Sequence, residues 1–217
     1  MAPASIGSQT GGSVIRPASY CGVVGYKPTY GLISRNGVLR TSYSLDHIGM
    51  FGRKVEDVAM LAKVLIKKDK FDPATIHYST ENILNETKKG PLFEPKFIFY
   101  KTDHWKIIDK KSRESFEYFI KSFKKNIEIF DTPSYFKDIH KYHQIIHETD
   151  LANNFSIYYQ KFKKKLSKYM QDAISNGNKY TAKEYAEAID FMKRSYESYE
   201  EVFEDYHGVL SLSLIHI

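Results

Sequence analysis

The stretch "GSQTGGSVIRPASYCGVVGYKPTYG", residues 7–31, concentrates small residues near the start of the chain. Nine of the twelve glycines fall at or before Gly52. Adjacent glycines leave backbone N–H groups unshielded, so several can converge on a phosphate or on a developing oxyanion. A phosphate-binding loop needs a lysine after its last glycine, and "GGSV" has none. The GxGxxG spacing of a dinucleotide site is also absent. What remains is Ser13, directly after Gly11 and Gly12, with its hydroxyl beside bare donors. Such a turn suits acyl transfer, with nucleophile and oxyanion hole in one segment. It equally suits a tight small-residue turn packed on a sheet.

The rest of the chain narrows the class. It has 217 residues, 42% hydrophobic, enough for a packed core. The net charge of +6 permits an anionic partner. The richness in Lys, Tyr, Phe, Ile and Asn, residues of AT-rich codons, accounts for the charge without one. Cys21 is the only cysteine, which excludes an intramolecular disulfide and a cysteine-rich zinc site. With no histidine beside it in sequence, it is expected to serve packing. The first residues lack a basic, apolar leader, and no apolar run is long enough to cross a bilayer. These features predict a cytoplasmic protein.

Beyond Gly52 the pattern turns helical. "CGVVGYK" and "GLIS" read as short strands or buried loops. In "VEDVAMLAKVLIKK", from Val55, the residues Val58, Leu61 and Leu65 share a face, with acids in the first turn and lysines in the last. After a polar connector over 69–94, Lys96–Lys101 reads as a strand, Asp109–Lys125 as a helix and Ile127–Phe130 as a second strand. This order predicts a parallel α/β crossover. Helical pattern follows over 135–174, and "TAKE" at Thr181–Glu184 forms a capping box for a last helix. Its stripe of Tyr185, Ile189, Met192, Tyr196, Tyr199 and Phe203 is expected to be core. The "KFKKK" run at Lys161–Lys165 reads as a solvated face. His104, His140, His143 and His147 do not make a metal site by spacing, because the His143–His147 pair lacks a third ligand.

The segment "GSQTGGSVIRPASYCGVVGYKPTYGLISRNGV", continued by "SLDHIGMFGRKVEDVAML", resembles the signature segment of the amidase signature family. A fainter likeness extends through "TDHW" to "FEDYHGVLS". The resemblance implies an α/β fold with a mixed central β-sheet flanked by helices, incomplete in this chain. It also implies hydrolysis of carboxylic amides without a cofactor or metal. Carried onto this sequence, it makes Ser13 the nucleophile and Thr10, Gly11 and Gly12 the backbone donors of the oxyanion hole. The family often has arginine two residues after the nucleophile, whereas Arg16 stands three after it. A structural ion pair is expected for Arg16. Asp46, in "SLDHIG", is expected to be a buried hydrogen-bonding group.

In that family a second serine, in a cis peptide, relays protons to a lysine base, and both lie upstream of the nucleophile. Only twelve residues precede Ser13, none of them lysine, and Ser5 and Ser8 are too close. The expectation is therefore a partial amidase domain over 1–217, with signature segment 7–57 and a helix-rich remainder over 58–211. Met1 then reads as an internal methionine. The final "LSLIHI", 212–217, is expected to be the translation of a sequencing adapter. Three functions compete. The leading one is an amide hydrolase on small-molecule amides, with no nucleic-acid or membrane partner, and inactive as this 217-residue chain. The alternative is the catalytic subunit of an aminoacyl-tRNA amidotransferase, against which Gln9 counts because aspartate is usual there. The third is a non-catalytic amidase-like module.

Overall fold

The computed structural model of the protein describes residues 2–123 and 125–212. Residues 213–217, which include nearly all of the expected adapter translation, and the side chain of His104 lie outside the described part. The chain divides into two compact units, Met1–Lys89 with Lys141–Ile189, and Gly90–His140 with Asp190–Ile217.

The first unit begins with strand β1 (Ala4–Gln9), followed by the turn that carries Ser13 and a short helix α1 (Ile15–Cys21). Periodicity offers no expectation of α1, because seven residues are too few for an apolar period. Its signals are chemical. Pro17 stands in the first turn, where its missing N–H costs nothing. Gly22 ends the helix at φ +62°, its N–H reaching the carbonyls of Ala18 and Ser19. Strand β2 (Val24–Tyr26) follows, then a long loop and strand β3 (His47–Gly52). The three strands form an antiparallel sheet in the order β1-β3-β2, with Gln9 paired to His47 and Ala4 to Gly52.

Helix α2 (Val55–Leu65) covers this sheet and forms where the charge and apolar pattern predict. The Asp57 carboxylate accepts the N–H groups of Arg53 and Lys54 at 2.9 and 3.1 Å, capping the helix start. Val58 and Ala62 bury against Leu32, Ile33, Ile48, Met50 and Ile66. Helix α3 (Ile83–Glu86) closes the connector.

In the second unit, strands β4 (Phe97–Lys101) and β5 (Ile127–Asp131) pair in parallel across helix α4 (Lys110–Ser122), as the strand–helix–strand order predicts. The Asp109 carboxylate caps α4 by accepting the Ser112 N–H at 3.0 Å. Phe99, Ile120 and Ile127 form the core here.

Helix α5 (Ile139–Asn154) returns the chain to the first unit, followed by α6 (Ser156–Phe162) and α7 (Lys168–Gly177). Leu151, Ala152, Phe155, Ala173 and Ile174 make a second core within that unit. Helix α8 (Ala182–Asp205) opens on the expected capping box: Thr181 N–H donates to Glu184 at 2.8 Å, and Glu184 N–H donates to Thr181 at 3.2 Å. Strand β6 (Gly208–Leu210) then pairs parallel to β4, giving the order β5-β4-β6.

The α/β class is the expected one. Among the described residues its β-structure is two three-stranded sheets, because β1–β3 pair locally and antiparallel while β4–β6 pair in parallel. Two expectations need correction. The stripe on α8 is not uniformly core, since Tyr196 and Phe203 are 65% and 52% exposed. Cys21, the last residue of α1, is exposed rather than packed.

Candidate active site

The antiparallel register fixes Gln9 as the last residue of β1, and the chain must turn sharply there to enter α1. Gln9 is buried, and its side-chain carbonyl does the turning. It accepts the N–H of Val14 at 2.8 Å and of Ile15 at 3.0 Å. These are donors at the helix start that would otherwise lack partners. The four residues between, Thr10 to Ser13, are thus held as a short bridge. Val14 is fully buried beneath it.

The Thr10 end of the bridge is held by Asp46. One carboxylate oxygen accepts both the Thr10 and the Thr41 hydroxyls at 2.6 Å. The other accepts the backbone N–H of Thr41 at 2.8 Å and of Ser42 at 3.0 Å. Asp46 is 8% exposed, so the buried hydrogen-bonding role expected for it is the one it fills. Behind this lies a further polar layer. Ser42 and Tyr185 both donate to Asp150, the latter at 2.9 Å, and the Asn154 amide donates to the Thr41 carbonyl at 3.0 Å.

Ser13 itself is exposed at the end of the bridge. It lines a cleft of about 210 Å³ together with Thr10, Arg35, Arg40, Thr41 and Asp46. Among the described residues, no acceptor pairs with the backbone N–H groups of Gly11, Gly12 or Ser13. Three adjacent N–H groups thus lack an acceptor there, those of exposed Gly11 and Ser13 and of buried Gly12 between them. The bridge is not a nest of left-handed glycines, however. The positive φ angles among the described residues lie at Gly22, Gly31 and Gly37. Close approach explains a different glycine: a Cβ on Gly49, in β3, would lie 2.8 Å from the Tyr26 carbonyl and from the Val14 side chain.

Arg35 forms one wall of the cleft and is held there by three hydrogen bonds. Its Nε and Nη2 donate to the two oxygens of Asp72 at 3.0 Å, and its Nη1 to the Tyr43 carbonyl at 2.6 Å. The guanidinium lies 4.7 Å from the Tyr30 ring centroid and 5.1 Å from that of Tyr43. These hydrogen bonds hold the Asp72 carboxyl well below the usual carboxylate range. Arg40 is exposed on the rim and lies over Tyr43 at 5.1 Å. Arg16, for which an ion pair was expected, is exposed and pairs with no carboxylate among the described residues. No lysine is among the residues that line the cleft.

Of the residues that sequence reasoning assigned to the site, Thr10 and Ser13 line the cleft and Gly11 and Gly12 lie in the bridge between them, while Asp46, expected only as a buried hydrogen-bonding group, lines the cleft as well. Sequence reasoning missed the capping role of Gln9, which depends on where pairing with His47 ends β1. His143 and His147, expected to be a chance pair rather than a metal site, lie on α5. His143 Nε2 lies 3.3 Å from the Thr10 carbonyl oxygen, and the two imidazole rings are 6.0 Å apart. Burial, and then the neighbouring His143, push the His147 pKa down.

The α/β frame thus carries an exposed serine on a tied turn at the edge of a cleft. Residues 1–212 match the Amidase family model, and the chain belongs to that family. Among curated proteins, a glutamyl-tRNA(Gln) amidotransferase subunit from Sulfurihydrogenibium is 53% identical over 89 residues, which is 41% of this chain and 18% of that protein. The corresponding protein from Clostridium novyi is 42% identical over 128 residues, 57% of this chain and 25% of that protein. Among solved structures, its counterpart from Thermotoga maritima superposes with a TM-score of 0.74 at 26% identity, covering 95% of this chain and 46% of that one. A protein from a vestigial complex tied to the origins of an s-triazine catabolic enzyme superposes at 0.84, with 21% identity, 94% of this chain and 44% of that one covered. The chain thus spans less than half the length of these proteins. Among the described residues, no helix is long and apolar enough to cross a membrane.

Proposed function

We propose that this chain supplies the nucleophile and the oxyanion donors of an amide-cleaving site. Ser13 Oγ attacks the amide carbonyl, forming the C–O bond, while the carbonyl oxygen takes the negative charge. The backbone N–H groups of Thr10, Gly11 and Gly12, with that of Ser13 itself, receive that charge. Collapse expels the amine with a proton and leaves an acyl-serine ester, which water hydrolyses. The observation that carries this reading is a row of three N–H groups without an acceptor among the described residues, on a turn tied at both ends that carries an exposed serine. The base that takes the Ser13 proton is assigned to the intact enzyme, since the cleft offers Arg35 and Arg40 but no lysine.

The setting we propose is that of the glutamyl-tRNA(Gln) amidotransferases, so partner subunits and a charged tRNA replace the expectation of a lone small-molecule hydrolase. The curated relatives support this order over the reverse. Gln9 does not count against it. Its task is to present an oxygen to the N–H groups of Val14 and Ile15, and an aspartate presents one as well. The test is amidation of glutamyl-tRNA(Gln) by the intact enzyme with its partner subunits. Formation of glutaminyl-tRNA that disappears in Ser13→Ala supports the reading. Amide hydrolysis dependent on Ser13 without any amidation would return the protein to the general amidases. Activity that survives Ser13→Ala would refute the nucleophile assignment.

A further inference from the structure

We infer that His143 is a positioning residue for the nucleophile turn, holding the Thr10–Gly11 peptide in the orientation that aims the Gly11 N–H away from α5. This rests on the proposed role of the turn in amide cleavage. The two ends of the bridge are already fixed, by Gln9 on the Val14 side and by Asp46 on the Thr10 side chain. The Gly12 carbonyl is held too, by the Arg16 N–H at 2.9 Å, which leaves the Thr10–Gly11 and Gly11–Gly12 peptide planes. The Thr10–Gly11 peptide plane can flip, and glycine on its C-terminal side makes a flip inexpensive.

His143 lies against that plane. Its Nε2 is 3.3 Å from the Thr10 carbonyl oxygen, and a Cβ on Gly11 would meet its Cε1 at 3.6 Å. A carbonyl oxygen only accepts, so the contact is a hydrogen bond when Nε2 carries a proton. In a trans peptide the C=O and the following N–H point in opposite directions. Holding the Thr10 oxygen toward α5 therefore directs the Gly11 N–H, which has no acceptor among the described residues, to the opposite side. A flipped plane would point a carbonyl oxygen where the oxyanion forms, and the repulsion would appear in the transition state rather than in substrate binding. His147, one helical turn on, backs the ring at 6.0 Å.

The test compares His143→Leu, which has no donor, with His143→Gln, whose amide can donate near the same place, in the intact enzyme. A misaimed oxyanion donor predicts a kcat loss of about 10- to 100-fold for the leucine variant with KM changed less than about twofold. The glutamine variant should recover most of that loss. Wild-type kcat in the leucine variant, while Ser13→Ala is inactive, overturns the inference and leaves the function standing. Equal losses in both variants, matched by equal falls in melting temperature, also overturn it by showing a packing role alone. Retained activity in Ser13→Ala would instead sink the function. A readout free of turnover is the tautomer of His143 by long-range ¹H–¹⁵N spectra at neutral pH. A proton on Nε2 agrees, and the Nδ1–H tautomer overturns the inference.

Discussion

The side-chain carbonyl of Gln9 accepts the N–H of Val14 across the turn that carries Ser13, at 2.8 Å. One buried amide therefore joins the end of β1 to the start of α1, and the place of Ser13, the proposed nucleophile, depends on it. Replacing Gln9 by leucine keeps the volume but strands two donors. A cost of about 1–3 kcal/mol is expected, measured by urea denaturation. Gln9→Asp, which retains an acceptor, should cost less than Gln9→Leu and should preserve whatever reactivity Ser13 has. Equal losses in the two variants would contradict the capping role.

Asp46 divides its duties by oxygen, one for two hydroxyls and one for two backbone N–H groups. An asparagine can keep its oxygen on the N–H groups and turn its amide toward hydroxyls, which also accept. Asp46→Asn is thus expected to cost about 1 kcal/mol, whereas Asp46→Leu should cost about 3 kcal/mol or more. Thermal melts of the two variants check the order.

The Arg35–Asp72 pair sets a pH dependence. Asp72 is held below its unfolded pKa, so the stability it contributes is present in full above about pH 4 and lost as pH falls below that. Denaturation profiles between pH 3 and pH 7 should show that decline. Asp72→Asn should flatten it while lowering stability at neutral pH by about 3–5 kcal/mol, because it leaves Arg35 buried without its counter-ion. An unchanged acid profile in the variant would contradict this assignment.

Gly49 admits Val14 and the Tyr26 carbonyl to within 2.8 Å of where its Cβ would stand. Gly49→Ala should therefore push Val14 outward and disturb its neighbour Ser13. A loss of about 1–3 kcal/mol is expected from overpacking, with the Ser13 turn shifted in a crystal structure of the variant. A variant as stable as wild type would show that β3 yields more readily than the contacts suggest.

Much of this was legible in the sequence, for identifiable reasons. The α2 face of Val58 and the Thr181–Glu184 box are local patterns, and each forms where local chemistry dictates. What escaped depends on long-range placement. Gln9 acts through a strand register set by pairing with His47, and His143 meets Thr10 across 133 positions of chain. The grouping of the strands into two sheets escaped for the same reason, since strand pairing is decided by partners distant in sequence. The α8 stripe misled because a helical period marks a face without saying how much of it is covered.

The most direct measurement is covalent labelling of the intact enzyme with a fluorophosphonate probe, followed by peptide mass mapping. A single adduct on the Ser13 hydroxyl is expected, abolished by Ser13→Ala and slowed by Gln9→Leu. Labelling at another serine, or full amide turnover with Ser13 unlabelled, would contradict the assignment of Ser13 as nucleophile.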